Sequence, residues 1–172
     1  EIGLGIPAEP LFRSSYGDSG KTVLQKENIL LNELMKEIYE ESFMIDEEHP
    51  YKFRDASELI TIDADRTLLK QAVRILVDNA AKYTNKNDEI ILGVGRTDDD
   101  RPYMMVQDTG IGMTQNDVEH MFERFYRADE ARSFQGTGLG LSIAKWIVDR
   151  HGGHFEVVSR TELGTRIMIV LS

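Results

Sequence analysis

The feature that most constrains this chain is a run of alternate glycines that leads into a helical pattern, in FQGTGLGLSIAKWIVDRHGG, residues 134–153. Glycine costs backbone entropy, so Gly136, Gly138 and Gly140 indicate that something must approach the main chain closely. The run lacks the lysine of a GxxxxGK[ST] phosphate loop, and its spacing and polar flank differ from those of a dinucleotide fingerprint. Two interpretations stay open: a phosphate site before a helix N-terminus, or a flexible hinge.

A second glycine motif, DTGIGM, occupies residues 108–113 and follows an apolar run that predicts a strand. A carboxylate at the floor of a pocket accepts a hydrogen bond from an exocyclic amine, which is a suitable role for Asp108. Gly110 and Gly112 would let a flat ring lie against the backbone. The alternative is an ordinary Asp-Thr-Gly turn on the surface.

A third candidate element is the long amphipathic helix predicted in DADRTLLKQAVRILVDNAAKYT, which opens with acidic residues. Asn79 shares one face of this helix with Ala72, Leu76 and Tyr83. It is either a structural amide with a protein partner or an oxygen ligand for Mg²⁺. Lys82 belongs to the same helical end, where it either contacts a phosphate or is simply solvated.

The succession of elements predicts an α/β two-layer sandwich, in which helices cover one face of a mostly antiparallel sheet. Helices are expected in LLNELMKEIYEESFMI, in the long segment just described, in TQNDVEHMFERF and in LGLSIAKWIVDRHGG. KFRDASELITID predicts two short strands around a turn, and four further strands follow. Residues 1–21 have no period and are expected to be a linker or an expression-derived tail, and residues 22–172 form the domain.

Composition excludes several classes of site and partner. The chain has 172 residues, no cysteine and a formal net charge of −10. Disulfides and thiolate metal sites are therefore excluded, and a general nucleic-acid surface is disfavoured. No apolar run approaches the length of a membrane span and no signal peptide is visible, so we expect this part of the protein to make no direct membrane contact.

Taken together, these motifs resemble the ATP-binding catalytic domain of sensor histidine kinases over roughly residues 25–172. LVDNAAKYT is similar to the family's N box, DTGIGM to its first glycine box and FERFYRAD to its F box. GTGLGLSIAKWIVDRHGG is similar to the second glycine box, and ELGTRIMIVL to the final strand. The family's fold is a mixed sheet with about three helices on one face and a mobile ATP lid, here about residues 126–137.

The resemblance implies a role for each matching position. Asn79 would hold Mg²⁺, Asp108 would receive the adenine amino group with help from Thr165, and Phe122 and Phe125 would anchor the lid. Lys82 and Arg127 would act on the phosphates as the catalytic residues. The full set expected to bind ATP is Asn79, Lys82, Tyr83, Asp108, Gly110, Gly112, Met113, Phe125, Tyr126, Arg127, Gly136, Thr137, Gly138, Leu139, Gly140, Leu141 and Thr165.

Two departures from the family pattern qualify these expectations. None of the four histidines lies in the family's phosphoacceptor motif, and His151 is expected to be a partly positive imidazole at a helix C-terminus. Ile75 stands one turn before Asn79, where the family usually has a polar residue and related ATP hydrolases have a glutamate. An isoleucine cannot act as a general base, so an ATP hydrolase is a poorer interpretation.

The resemblance therefore implies a histidine kinase catalytic domain. It would bind Mg-ATP and transfer the γ-phosphoryl group to a histidine on separate dimerisation helices, with a response regulator as an indirect partner. The parent protein would be membrane-anchored with this domain on the cytoplasmic side. The alternative is a nucleotide-sensing pseudokinase, to which Ile75 gives some weight.

Overall fold

Among the described residues, every helix and every strand but one forms in a segment where the sequence predicts it, and the exception is the short strand Glu27–Leu30. The structure is a computed structural model that describes residues 23–123 and 140–172. No helix in these two ranges combines the length and hydrophobicity needed to cross a membrane. Within them the helices are α1 Leu31–Ile45, α2 Arg66–Lys82, α3 Gln115–His120 and α4 Gly140–Arg150, and the strands are β1 Glu27–Leu30, β2 Tyr51–Arg54, β3 Thr61–Ala64, β4 Ile90–Arg96, β5 Pro102–Asp108, β6 His154–Arg160 and β7 Gly164–Val170.

Five of these strands form one sheet in the order β2-β4-β5-β7-β6. β2 runs parallel to β4, and the other three neighbouring pairs are antiparallel. Helices α1, α2 and α4 pack on one face of the sheet, where alternate strand residues enter the hydrophobic core. The predicted two-layer sandwich, with a mixed and mostly antiparallel sheet under three helices, is confirmed.

The two short strands predicted in KFRDASELITID form, but they do not pair with each other. β2 joins the main sheet with Phe53 opposite Leu92, whereas β3 pairs with β1 in a separate two-stranded sheet. Buried Asn32 of α1 holds the connection between them. Its amide donates to Asp55 Oδ1 at 2.7 Å, and its carbonyl oxygen accepts from the backbone N–H of Ile60 at 2.8 Å. The two predicted strands are confirmed, and the structure adds that a side chain from α1 binds the backbone between them.

Helix α2 begins at the acidic cap that the sequence predicted. Asp65 Oδ1 accepts a hydrogen bond from the backbone N–H of Leu68 at 3.1 Å. The backbone N–H of Asp65 donates to His151 Nε2 at 3.1 Å, and His151 Nδ1 lies 2.8 Å from the carbonyl oxygen of Ile147. Nε2 accepts and Nδ1 donates, so these partners assign a neutral ring. The partly positive imidazole predicted for His151 is wrong, because the ring links the end of α4 to the start of α2.

Ion pairs join α1 to α2 along their half-exposed sides. Arg66 and Lys70 contact Glu37 at 2.8 and 2.6 Å, Lys70 contacts Glu41 at 3.0 Å, and Arg74 also pairs with Glu41. Hydrogen bonds from Lys70, followed by those of the arginines, lower the pKa of both glutamates. Pairs at this exposure contribute little stability individually. Their main effect is to fix how α1 lies along α2.

Candidate functional site

Two adjacent strand ends bring Asp108 and Thr165 together on the helix-covered side of the sheet. The residues face each other across β5 and β7 and are 7% and 8% exposed. Asp108 Oδ1 accepts a hydrogen bond from the backbone N–H of Gly110 at 2.9 Å. Burial raises the pKa of Asp108 to about 6, although backbone hydrogen bonds from Gly110 and Thr165 act in the opposite direction. A buried carboxylate of this kind can accept a hydrogen bond from a ligand's amino group.

Ser159 completes the polar network beside Thr165, and the sequence analysis missed it. Its Oγ lies 2.7 Å from Thr165 Oγ1 and accepts a hydrogen bond from the backbone N–H of Met113 at 2.7 Å. The strand period offered a signal, because Ser159 shares the core-facing side of β6 with Phe155 and Val157. A polar side chain in that row needs a partner.

The glycines of DTGIGM lie against the protein's own backbone. A Cβ at Gly110 would come within 2.3 Å of the Tyr83 carbonyl oxygen, and one at Gly112 within 2.0 Å of the Arg160 carbonyl oxygen. Gly112 also has φ +73°, a conformation that side chains rarely adopt. These contacts join the motif to the end of α2 and to the β6–β7 hairpin. Close approach of a nucleotide to the same glycines stays a prediction.

The last turn of α2 and the residue after it carry three of the predicted ligand residues. Asn79 is half-buried, and its side-chain amide has no hydrogen-bond partner within the described residues. Lys82 is exposed and forms no salt bridge in the same ranges, although its charge acts on nearby Asp78. Tyr83 follows the helix, and its carbonyl oxygen accepts from the backbone N–H of Ile111 at 3.1 Å. The structure thus brings the asparagine motif and the loop after Asp108 together.

A protein-only metal cage is not found in the part of the chain that the structure describes. No three His, Cys, Asp or Glu side chains there are grouped so that they could hold an ion. Mg²⁺ commonly takes one or two protein oxygens and completes its shell with water and substrate phosphates. The Asn79 amide oxygen, which has no hydrogen-bond partner among the described residues, suits that role, and the role stays a prediction.

Ile75 faces the start of α4, one helical turn before Asn79. It is 4% exposed, and its Cγ2 would lie 3.4 Å from a Cβ at Gly140. Gly140 and Leu141, both predicted to bind phosphate, form the first turn of α4 and are half-buried. The position that would hold a catalytic base in a hydrolase is therefore filled by apolar packing.

The family to which this arrangement belongs follows from a comparison with known protein families. A model described as "Histidine kinase-, DNA gyrase B-, and HSP90-like ATPase" matches residues 64–172, which include α2 and both glycine motifs. The chain belongs to this ATPase family. Asp108, Asn79 and the start of α4 all lie within the matched part of this ATPase domain.

Individual relatives of the ATPase domain are sensor kinases. The chain is 46% identical to sensor histidine kinase YkoH of Bacillus subtilis over an alignment of 117 residues. This alignment covers 67% of the chain and 25% of YkoH. It is 47% identical to sensor protein CiaH of Streptococcus pneumoniae over an alignment of 107 residues. This alignment covers 61% of the chain and 24% of CiaH. The chain spans about a quarter of the length of these relatives.

Solved structures give the same result. The solved chain of the mycobacterial sensor histidine kinase MprB superposes with a TM-score of 0.75 at 28% identity, over 84% of this chain and 97% of that solved chain. Histidine kinase ThkA, in complex with response regulator TrrA, superposes with a TM-score of 0.75 at 26% identity, over 96% of this chain and 47% of the matched ThkA chain. The resemblance to histidine kinase catalytic domains is confirmed.

Part of the predicted site lies outside the described residues of the ATPase domain. This applies to the lid at about residues 126–137 and to Phe125, Tyr126, Arg127, Gly136, Thr137, Gly138 and Leu139. Phe122, expected to anchor the lid, stacks on Phe155 of β6 with ring centroids 4.4 Å apart. Met113 is buried in the core, and its contact with a nucleotide stays a prediction.

Proposed function

We propose that this chain is the catalytic domain of a sensor histidine kinase, which binds Mg-ATP and transfers the γ-phosphoryl group to a histidine on another domain. The observation that carries the proposal is the buried Asp108 carboxylate at the end of β5, in a family of ATPases. Adenine offers an amino group that donates to such a carboxylate. Guanine presents a carbonyl oxygen at the same position, so two acceptors would oppose each other.

The other residues supply phosphate contacts in this proposal. Asn79 would hold Mg²⁺ through its amide oxygen, and the bound ion would neutralise charge on the phosphates. Lys82 and Tyr83 would contact phosphate oxygens from the end of α2, and backbone amides from Gly136 to Leu141 would bind the triphosphate. Arg127 would stabilise the transferring group. Phosphoryl transfer needs mainly such positioning and charge stabilisation.

The acceptor histidine would belong to the dimerisation helices of the parent kinase. Two of the chain's histidines are structural, because His151 binds the start of α2 and His49 lies between Asp46 and Thr84. His120 and His154 lack the family's acceptor motif. A response regulator would then be an indirect partner of this domain, and ThkA has been solved in complex with the response regulator TrrA. The parent would be membrane-anchored, with this domain on the cytoplasmic side.

Ile75 favours one alternative function, a pseudokinase that binds nucleotide without transferring phosphate. Its side chain packs against the first turn of α4 and brings no polar group to the site. The same apolar side chain opposes a hydrolase, which needs a base to activate water.

Calorimetric titration with Mg-ATP and Mg-GTP tests the nucleotide site. A hydrogen bond to a charged group contributes about 1.5–3 kcal/mol, so ATP should bind about ten- to a hundredfold more tightly than GTP. Asp108→Ala should remove this preference. Equal affinities of the wild type for the two nucleotides, or normal ATP selectivity in the variant, would contradict the role of Asp108.

A further inference from the structure

A chain of hydrogen-bonded side chains connects the loop after α1 to the residue that follows Tyr83. Asp46 Oδ2 lies 2.7 Å from His49 Nδ1 and accepts a second hydrogen bond from the Tyr51 hydroxyl at 2.7 Å. His49 Nε2 lies 2.8 Å from Thr84 Oγ1. The His49 side chain is only 9% exposed. We call Asp46, His49 and Thr84 the His49 clamp.

Thr84 is the point at which the clamp meets the candidate nucleotide site. Its hydroxyl donates to the Ala80 carbonyl oxygen in the last turn of α2 at 2.9 Å. Its methyl group would lie 2.7 Å from a Cβ at Gly110, so it also borders the loop after Asp108. A shift of Thr84 would therefore move the end of α2 relative to that loop.

We propose that His49 is a positioning residue for nucleotide binding, an inference that rests on the proposed function. The ring is fixed by Asp46 and holds Thr84, which keeps the last turn of α2 where Asn79, Lys82 and Tyr83 meet the phosphates. In the part of the chain that the structure describes, the His49 ring forms hydrogen bonds with Asp46 and Thr84 and with no predicted ligand residue. It acts on the site through Thr84.

The order carboxylate, imidazole, hydroxyl is also that of a hydrolase triad, but the geometry opposes a nucleophilic role. Thr84 Oγ1 is within hydrogen-bond distance of two helix carbonyl oxygens, those of Ala80 and Ala81, at 2.9 and 3.3 Å. A hydroxyl engaged in this way closes the helix end. The His49 clamp therefore performs no reaction, and its effect is to hold the last turn of α2 in position.

Two variants of Thr84 separate the effect of its hydroxyl from the effect of its methyl group. Thr84→Val deletes the hydroxyl and keeps the shape, and Thr84→Ser keeps the hydroxyl. Thr84→Val and His49→Ala should each weaken Mg-ATP binding about two- to tenfold, the range expected for one hydrogen bond. The double variant should bind Mg-ATP about as tightly as the single variant with the lower affinity, because each substitution removes the same contact between His49 and Thr84. Thr84→Ser should remain within about twofold of the wild type.

Amide hydrogen exchange without nucleotide provides an independent readout. Thr84→Val and His49→Ala should speed exchange in residues 79–84 and leave the first turn of α2 unchanged. His154→Ala is the matched control, since His154 pairs with exposed Glu156 on the opposite face of the sheet. It should alter neither readout.

Three results would separate the possible failures. Wild-type affinity in Thr84→Val, with exchange in residues 79–84 also unchanged, would overturn the positioning role. Equal losses in Thr84→Ser and Thr84→Val would do the same, because the hydroxyl would then be irrelevant. If the wild type itself did not bind Mg-ATP, the proposed function would fall, and the exchange data would still show whether the clamp holds the end of α2.

Discussion

The buried side chain of Asp108 should make the folded state less stable as the pH rises. Burial raises the pKa of Asp108 from an ordinary value near 3.8 to about 6 in the folded state. The stability contributed by the protonated group is therefore fully present below about pH 4 and is lost as the pH rises through 6. Between pH 4.5 and 7 this loss amounts to about 2 kcal/mol.

Urea unfolding of the wild type and of Asp108→Asn at both pH values measures this loss. Asparagine is uncharged throughout, so the variant should gain about 2 kcal/mol of stability relative to the wild type between pH 4.5 and 7. The comparison cancels the titration of the other acidic residues. A difference between the two proteins that is the same at both pH values would show that Asp108 is not desolvated as the structure indicates.

At the scale of elements, Gly112 joins the loop after β5 to the β6–β7 hairpin, and a side chain there should weaken this contact. Gly112 and Gly152 have nearly the same φ, +73° and +71°. A Cβ at Gly112 would lie 2.0 Å from the Arg160 carbonyl oxygen, whereas one at Gly152 would meet nothing within 4 Å. Gly112→Ala should therefore destabilise the fold by clearly more than the roughly 1 kcal/mol expected for strain alone.

Gly152→Ala serves as the control for backbone strain, because it shares the conformation and lacks the clash. Thermal or urea unfolding of the two variants gives the comparison directly. Equal destabilisation would mean that the hairpin moves away at no cost, and the contact between the motif and Arg160 would lose its structural importance.

How far the sequence predicts these elements depends on whether the cause is local. Helix α2, its Asp65 cap and the alternation of β6 follow from neighbouring residues, and all appear as expected. The partners of β2 and β3 do not, because each of these strands pairs with a segment more than 30 residues away along the chain. The His49 clamp is likewise invisible to periodicity, since 35 residues separate His49 from Thr84.

The candidate site also has one part that the sequence predicts and another part that it does not. Sequence motifs predict Asp108, Asn79 and Thr165 as site residues, and the structure brings the elements that carry them together. The backbone partners of Gly110 and Gly112 could not be predicted, because a glycine reports only that space is needed and not what occupies it. Ser159 was predictable from the strand period, but it stands outside every motif.

For the whole molecule, we expect the isolated chain to bind Mg-ATP without labelling itself and without rapid turnover. None of its histidines lies in an acceptor motif, and Ile75 offers no base to activate water. Positioned general-base catalysis commonly contributes about a hundred- to ten-thousandfold, so its absence should leave hydrolysis slow. Incubation with radiolabelled ATP, followed by measurement of protein-bound label and released phosphate, tests both expectations.

Adding the histidine-bearing helical domain of the parent kinase extends the same experiment. Label should then appear on that domain and not on this chain. Rapid release of phosphate by this chain alone would favour a hydrolase, and label on this chain would reveal an acceptor that the motifs miss. Tight ATP binding without any transfer to the helical domain would favour the pseudokinase.

The backbone contacts of Gly110, Gly112 and Gly164 have a consequence for how homologues evolve. Each glycine lies against a carbonyl oxygen of the protein itself, so selection for folding alone would retain it. A descendant that had lost nucleotide binding would still carry these glycines. Asn79 is a better marker of function, because no protein group in the described residues uses its amide. Selection for folding alone would allow other residues at position 79. Replacement of this asparagine would therefore distinguish a homologue that has lost nucleotide binding from one that has kept it.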